Sequence, residues 1–308
     1  MAGPRDNGPV PSYFLLPLAG AIIYALGSII VKRGLKEGVT MDQSFHLTNL
    51  VLGGMFLPLL FFERVQVDWT LIWKPLVMGA TFFAGNWLTF LGIKRGDVSL
   101  VTPLMGTKVV FVALGVVLLT GQSPSVPLWV AAALTTLGIF VMGVADLKGG
   151  SHLAFTVLVT LSSAMIFGVC DVLVSWWSAD FGAPTFLAVG TSSVAFYTLI
   201  LWLFQGRPGI FPRKGVQKWA VGGAVMIGLQ AIIMGVALSI FHNATGINVV
   251  YASRGLWVII LVVVFGNFLG NSEHRDSGRY FLWRVAGTVI LTVAVIIAVM
   301  DRAPAATV

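Results

Sequence analysis

Apolar residues in this chain come in long runs, separated by short polar stretches rich in Gly, Pro, Lys and Arg. A helix rises about 1.5 Å per residue, so a run of about 20 residues spans the roughly 30 Å hydrocarbon core of a bilayer. The pattern predicts ten spans, over about 12–31, 43–62, 71–93, 98–120, 127–145, 153–175, 184–204, 218–241, 247–270 and 280–300. The connections KRGD, GQSPSV, DLKGGS and HNATG have four to six residues each, and only 205–217 is long, polar and rich in Pro and Gly. No room is left for a soluble catalytic or nucleotide-binding domain. No GxxxxGK followed by Ser or Thr occurs, which argues against ATP-driven pumping by this chain.

The spans repeat. Sliding the chain by 149 residues aligns Gly79 with Gly228, Gly106 with Gly255, Gly121 with Gly270 and Gly138 with Gly287, without a gap. The two 67-residue windows hold nine and eight glycines, so chance alone gives about one match. Val101/Val250, Val109/Val258 and the loop pair Gln122/Asn271 fall on the same register. Five spans, duplicated, must sit upside down relative to each other because five is odd, as in the inverted repeats of many secondary transporters. The predicted fold is an all-α integral membrane protein of ten helices in an inverted five-plus-five repeat. Residues 1–11 form a disordered tail, 12–145 the first repeat, 152–300 the second and 301–308 a C-terminal tail.

Composition narrows the function classes. Hydrophobic residues are 57% of the 308 and charged residues 10%, against about 25% charged in a soluble domain. The mean hydropathy is +0.92. A soluble enzyme, a nucleic-acid binder and a secreted scaffold are excluded. The net charge of +7 is therefore read as span-end Lys and Arg rather than as a nucleic-acid surface. Thirteen Lys and Arg fall on one set of loops against four on the other, which puts both termini outside by the positive-inside rule. The single cysteine, Cys170, forbids an intrachain disulfide. His152, His242 and His274 lie near loops with no partners at metal-ligand spacing, so no metal is expected.

Ten spans as an inverted repeat in about 300 residues resemble the drug/metabolite transporter superfamily, particularly its EamA-type branch. The stretch GDVSLVTPLMGTKVVFVALGVVLLTGQ, with Pro103 inside span 4, and the GINVVYASRG opening of span 9 carry the resemblance. The chain departs in having Ala252 where Pro103 would repeat, and Gln122 and Asn271 where members often carry Glu. The resemblance implies alternating-access transport of a small organic metabolite, with no cofactor and with both termini in the cytoplasm. That conflicts with the charge count, although both readings leave the termini on one side. It also implies a multi-pass protein of the bacterial inner membrane.

Charges inside a membrane cost about 2.5–3.5 kcal/mol at a helix centre on insertion scales, and they mark functional sites by default. Three qualify: Lys108 in span 4, Arg254 in span 9 and Asp171 in span 6. On the repeat register Arg254 corresponds to Met105, three residues from Lys108, so the two cations project from equivalent faces toward one central cavity. Either Asp171 or an anionic solute must lie between them. Sugar-phosphate carriers of the resembled family also use basic residues on these helices. The alternative is structural: Lys108 pairs with Asp171 to fix packing, and Arg254 bonds to carbonyls near an unwound helix start. Tyr251 shares a face with Arg254, and Tyr24, Asn86, Trp87 and Trp257 are further candidates for the substrate site, weighed against packing roles. Asp171 and His46 are candidates for coupling ion or counter-ion, His46 with Asn49 on one face of span 2.

The expected function is secondary transport of a small, anionic metabolite, a carboxylate or phosphate, at a central site. Protons or a counter-substrate are the candidate coupling partners, and lipid is the surrounding partner. An exporter of amino acids or amphipathic drugs, and a lipid-headgroup flippase, are the alternatives. The sequence holds no catalytic constellation, so no enzyme is expected. Ten spans can enclose a path within one chain, which favours a functional monomer.

Overall fold

The computed structural model describes residues 14–95, 101, 104–144, 153–265 and 278–301. Pro103, Asn271, the tail 1–11 and residues 302–308 lie outside them. All the regular elements among the described residues are helical: α1 (Leu15–Lys36), α2 (Met41–Phe56), α3 (Trp73–Arg95), α4 (Lys108–Gly115), α5 (Val126–Val144), α6 (Leu153–Phe181), α7 (Ala183–Phe204), α8 (Gln217–Phe241), α9 (Ala244–Tyr251), α10 (Arg254–Phe265) and α11 (Gly278–Met300). A 3₁₀ segment, Leu57–Phe62, prolongs α2, and a π-helical turn, Val116–Thr120, prolongs α4. Six helical stretches are long and apolar enough to cross a membrane: Leu15–Lys36, Met41–Phe62, Trp69–Arg95, Leu153–Phe181, Ala183–Phe204 and Gln217–Phe241. The protein is a multi-pass integral membrane protein.

Helix boundaries follow local chemistry. Thr40 and Gln43 start α2 with a capping box: Thr40 Oγ1 accepts from Gln43 N at 3.2 Å, and Gln43 Oε1 accepts from Thr40 N at 3.0 Å. Asn243 caps α9, accepting from Gly246 N at 2.9 Å. Two helices outrun the predicted spans. α1 continues through Lys32 and Arg33 to Lys36, and α6 through Trp176 and Trp177 to Phe181. Hydropathy stops at the edge of the hydrocarbon, whereas backbone hydrogen bonding continues into the interface where long cations and Trp are at home. The span predicted over 247–270 is instead two helices, α9 and α10, joined by a turn at Ala252–Ser253.

Lipid tails are as apolar as the protein interior, so helices in a bilayer associate through close packing and small residues. α1 lies against α8, α3 against α6, α5 against α11, α2 against α7 and α8, and α3 against α7. The α5–α11 crossing is closest at Gly138 and Gly287: a Cβ on Gly138 would sit 3.0 Å from Gly287 O, and one on Gly287 would sit 2.6 Å from Gly138 O. The centre is filled by Leu52, Val112, Phe181, Phe186 and Ile247, all buried.

The two ends of the bundle are tied differently. At one end, Lys74 of α3 meets Asp180 of α6 at 2.5 Å, and Trp73 packs edge-on against Trp177 with ring centroids 5.1 Å apart. There too the Glu63 carboxylate accepts from Thr185 N, in the first turn of α7, at 3.1 Å. At the opposite end, Lys94 of α3 pairs with Asp42 of α2 at 2.7 Å, and Arg33 with Glu37 at 2.5 Å.

Candidate functional site

The two intramembrane cations stand at matching places in the backbone. Each is the first residue of a helical segment that follows a tight turn: Gly106–Thr107 before Lys108, and Ala252–Ser253 before Arg254. In both turns the chain tightens to i→i+3 bonding, with Thr107 N donating to Leu104 O at 3.1 Å and Ser253 N to Val250 O at 3.1 Å. The start of a helix carries a partial positive charge, which adds to that of the cation and attracts an anion.

Their partners differ. Lys108 Nζ lies 2.6 Å from Asp171 Oδ2, and both side chains are only 13% exposed. The ammonium also lies 5.7 Å from the ring centroid of Phe167, one turn before Asp171 on α6. Among the described residues Arg254 has no such carboxylate in direct contact. Its guanidinium carbon sits 4.8 Å from the Tyr24 ring centroid and 4.7 Å from that of Tyr251, and the two rings meet edge-to-face at 6.1 Å. The negative faces of the two rings hold the cation electrostatically. Arg254 also donates to the Tyr251 side chain, and Asp171 lies within electrostatic reach of both Arg254 and Tyr251. Lys108, Asp171 and Arg254 therefore form one charged cluster, with Asp171 between the cations in charge terms.

Of the residues singled out in the sequence, the structure brings Tyr24, Tyr251 and Arg254 into mutual contact, and Lys108 onto Asp171. Trp257, on the first turn of α10, is half-buried and packs against the same core that holds Tyr251 and Cys170. Asn86, Trp87 and His46 belong to a second cluster between α2 and α3. There Trp87 stacks on Phe90 with centroids 5.3 Å apart and touches Phe45, and Asn86 Nδ2 donates to Asn49 Oδ1 at 3.1 Å. Phe167, against the Lys108 ammonium, is a cluster member that the sequence does not single out. Its signal was present, an aromatic four residues before an intramembrane Asp, but one Phe among 21 does not stand out. Among the described residues no three His, Cys, Asp or Glu side chains converge to hold a metal ion.

Cys170 is not a reactive group in this arrangement. It is buried beside Asp171, with Sγ donating to Met78 O at 3.7 Å, and behaves as a small core residue. A surface groove lies elsewhere, between α3 and α7, where Ala80, Phe83, Tyr197, Ile200, Leu201 and Phe204 line about 270 Å³ of apolar space. Its lining offers no charge and it is remote in character from the cationic cluster.

Comparison with known proteins agrees with this architecture. Residues 11–144 match the EamA-like transporter family. A protein of Archaeoglobus fulgidus described as an uncharacterized transporter is 29% identical over 164 residues, covering 52% of this chain. The match spans 58% of that relative's length, a little over half. A solved crystal structure shares the fold with a TM-score of 0.74 at 14% identity, covering 95% of this chain and 99% of its own. The first half of this chain is thus similar to the EamA-like transporter family, and a protein described as a transporter is among its relatives.

Proposed function

We propose that the protein is a secondary transporter that carries a small organic solute with an anionic group, a carboxylate or a phosphate, across the membrane. The observation that carries this reading is the charge of the central cluster. Lys108 and Arg254 against Asp171 leave one positive charge in a low-dielectric interior, at the starts of two helical segments. An uncompensated buried charge is costly, so the cluster gains most from a ligand that brings one negative charge. Arg254 would grip such a group through its planar fork, with Tyr24 and Tyr251 as walls and hydroxyl donors. Lys108 would join when Asp171 releases it.

Alternating access follows from the same reading, with residues 12–145 and 152–300 as two inverted five-helix halves. Reciprocal packing supports it: α1 on α8 is matched by α6 on α3, and α2 on α8 by α7 on α3. The glycines that meet at the α5–α11 crossing, Gly138 and Gly287, are themselves a pair on the 149-residue register. A repeat axis passing through their contact would account for this pairing. A second reading keeps transport and changes the cargo to a zwitterion such as an amino acid. The electrostatic reach of Asp171 to Arg254 favours it, since a carboxylate and a guanidinium in one cluster could take an ammonium and a carboxylate.

A thermal-shift screen of purified protein with acetate, succinate, phosphate, alanine and choline separates these. A ligand at about 100 times its Kd stabilises the native state by about 2.7 kcal/mol. The anion reading expects succinate or phosphate to raise the Tm and Arg254→Ala to abolish the rise. A rise with alanine alone that is lost in Asp171→Asn selects the zwitterion. A response to choline that Arg254→Ala retains overturns both.

A further inference from the structure

One buried polar cluster is left unused by the central site. α2 carries Asp42, His46 and Asn49, positions i, i+4 and i+7, which share a helix face and form a stripe running inward from its start. Asp42, at the outer end, has a side chain 33% exposed. His46 and Asn49 lie further in and are each 1% exposed. Neither ring nitrogen of His46 has a hydrogen-bond partner, nor does Asn49 Nδ2. Asn86 of α3 closes the inner end through its bond to Asn49.

A neutral imidazole presents one N–H and one lone pair, and burial of both without partners is unfavourable, so a role for the ring has to account for it. The space does not suit a solute. Phe45 packs edge-on against the His46 ring at 5.5 Å, and Trp87 and Phe90 pack on Phe45 in turn. The charged groups that face this stripe among the described residues are Asp42 on α2 itself and Lys94 on α3, which pair with each other. From α7 the residues against Gly53 are Thr191, Ser192 and Ala195, and from α8 Ala220 and Ala224 pack with Leu47; none of these titrates. What fits an aromatic-walled imidazole one turn below a solvent-exposed carboxylate is a proton.

We infer that His46 is a proton-binding site reached from the Asp42 end of α2, and that its protonation is coupled to solute movement. The coupling rests on the transport reading above, whereas the proton site does not.

Hydrogen–deuterium exchange at the imidazole C2 position, followed by mass spectrometry, tests the site without any transport assay. The full-length wild-type protein is incubated from about pH 5 to about pH 9, the range in which an imidazole changes charge. The peptide containing His46 should show a sigmoidal rate profile, rising several-fold across the range, as solvent-exchanging histidines do. A flat profile overturns the proton site. Proteoliposomes loaded with the pH dye pyranine test coupling, with succinate, phosphate or alanine added outside and counterflow of the same radiolabelled solute measured in parallel. The wild type should change internal pH with the solute it exchanges, and His46→Gln should keep counterflow while losing the pH change. Counterflow in the wild type without a pH change, or a pH change that persists in His46→Gln, overturns coupling. No counterflow with any solute removes the transport reading and the coupling with it, and the exchange profile then decides the proton site alone. If His46→Gln does not fold, wild-type exchange and pH change still decide.

Discussion

Lys108 and Arg254 occupy the same structural place, the first residue after a tight turn in a membrane-embedded helix, yet the protein stabilises them by opposite means. Lys108 is neutralised by Asp171 at 2.6 Å, with Phe167 beneath it. Arg254 is wedged between the faces of two tyrosines, with Asp171 only within longer electrostatic reach. The chemistry of the two side chains accounts for the choice. Lys is a compact, strongly hydrated point charge that needs a full counter-charge when buried, whereas a guanidinium is planar, weakly hydrated and stacks on aromatic rings. One cation is thus paired with a full counter-charge, and the other rests on ring faces and a bond to Tyr251. On the proposed reading the difference divides the labour of the cluster: Lys108 and Asp171 form a lock, and Arg254 is the grip.

The strongest way to break this division is to remove the lock's negative half. Asp171→Asn keeps the shape but strands Lys108 as an uncompensated buried charge, and loss of one partner of a buried pair costs about 3–5 kcal/mol. Equilibrium unfolding in mixed micelles should show a loss of that size. The double variant Lys108→Met with Asp171→Asn removes both charges and should recover most of it, because a buried pair as a whole adds little net stability. Recovery in the double variant is the signature of a pair. Equal losses in the single and double variants would mean that Asp171 supports the fold through Arg254 instead.

The grip is sharpened by a smaller change. Tyr24→Leu removes one π face from Arg254, and a desolvated cation–π contact contributes about 2 kcal/mol. Tyr24→Phe keeps the face and loses only the hydroxyl. Stability should fall by about that amount in Tyr24→Leu and hardly at all in Tyr24→Phe, as read by the same unfolding assay. If succinate or phosphate binds as proposed, Tyr24→Phe should still weaken its thermal shift, since a hydroxyl donor has gone. A Tyr24→Phe variant as unstable as Tyr24→Leu would show that the ring face does not hold the guanidinium.

The contrast between lock and grip was only half legible in the sequence. Hydropathy is a property of each residue and its neighbours in the chain, so the apolar helices and the three intramembrane charges could be read directly. Even the pairing of Lys108 with Asp171 was among the alternatives, because span 6 holds a single buried carboxylate. Partners of Arg254 were harder. Tyr251 was visible by helical spacing, but Tyr24 reaches the guanidinium from another helix, and spacing carries no information across the bundle. Likewise, the break at Ala252–Ser253 is hard to place from composition: neither residue is Pro or Gly, and the polar dip at Ser253–Arg254 reads as a buried charge as readily as a turn. Trp87 and Asn86 looked like companions of the cations because they are polar or aromatic in mid-span. The packing of α3 on α2 takes them to Phe45, Phe90 and Asn49 instead.

The smallest expected effect concerns the end of the bundle where Glu63 holds the start of α7. Burial acts to raise the Glu63 carboxyl, but backbone hydrogen bonds from Thr185, Val65 and Arg64 outweigh it and hold the group below its ordinary value of 4.5. A carboxyl lowered on folding contributes stability above that ordinary value and loses it as the pH falls through the lower, folded one. Glu63 is only partly exposed, and the contribution is that of an anion at a helix start, about 0.3–1 kcal/mol at low salt. Glu63→Gln retains an acceptor oxygen for Thr185 N and removes only the charge. At neutral pH the variant should unfold with that small loss, and the gap from the wild type should close as the pH is taken well below 4.5. Added salt should narrow it as well, because a partly exposed charge is screened. The lock should ignore the same salt, since Lys108 and Asp171 are each only 13% exposed. An Asp171→Asn penalty that shrank with salt in step with that of Glu63→Gln would place the lock in contact with water, and Lys108 would then be as free to meet a solute as Arg254.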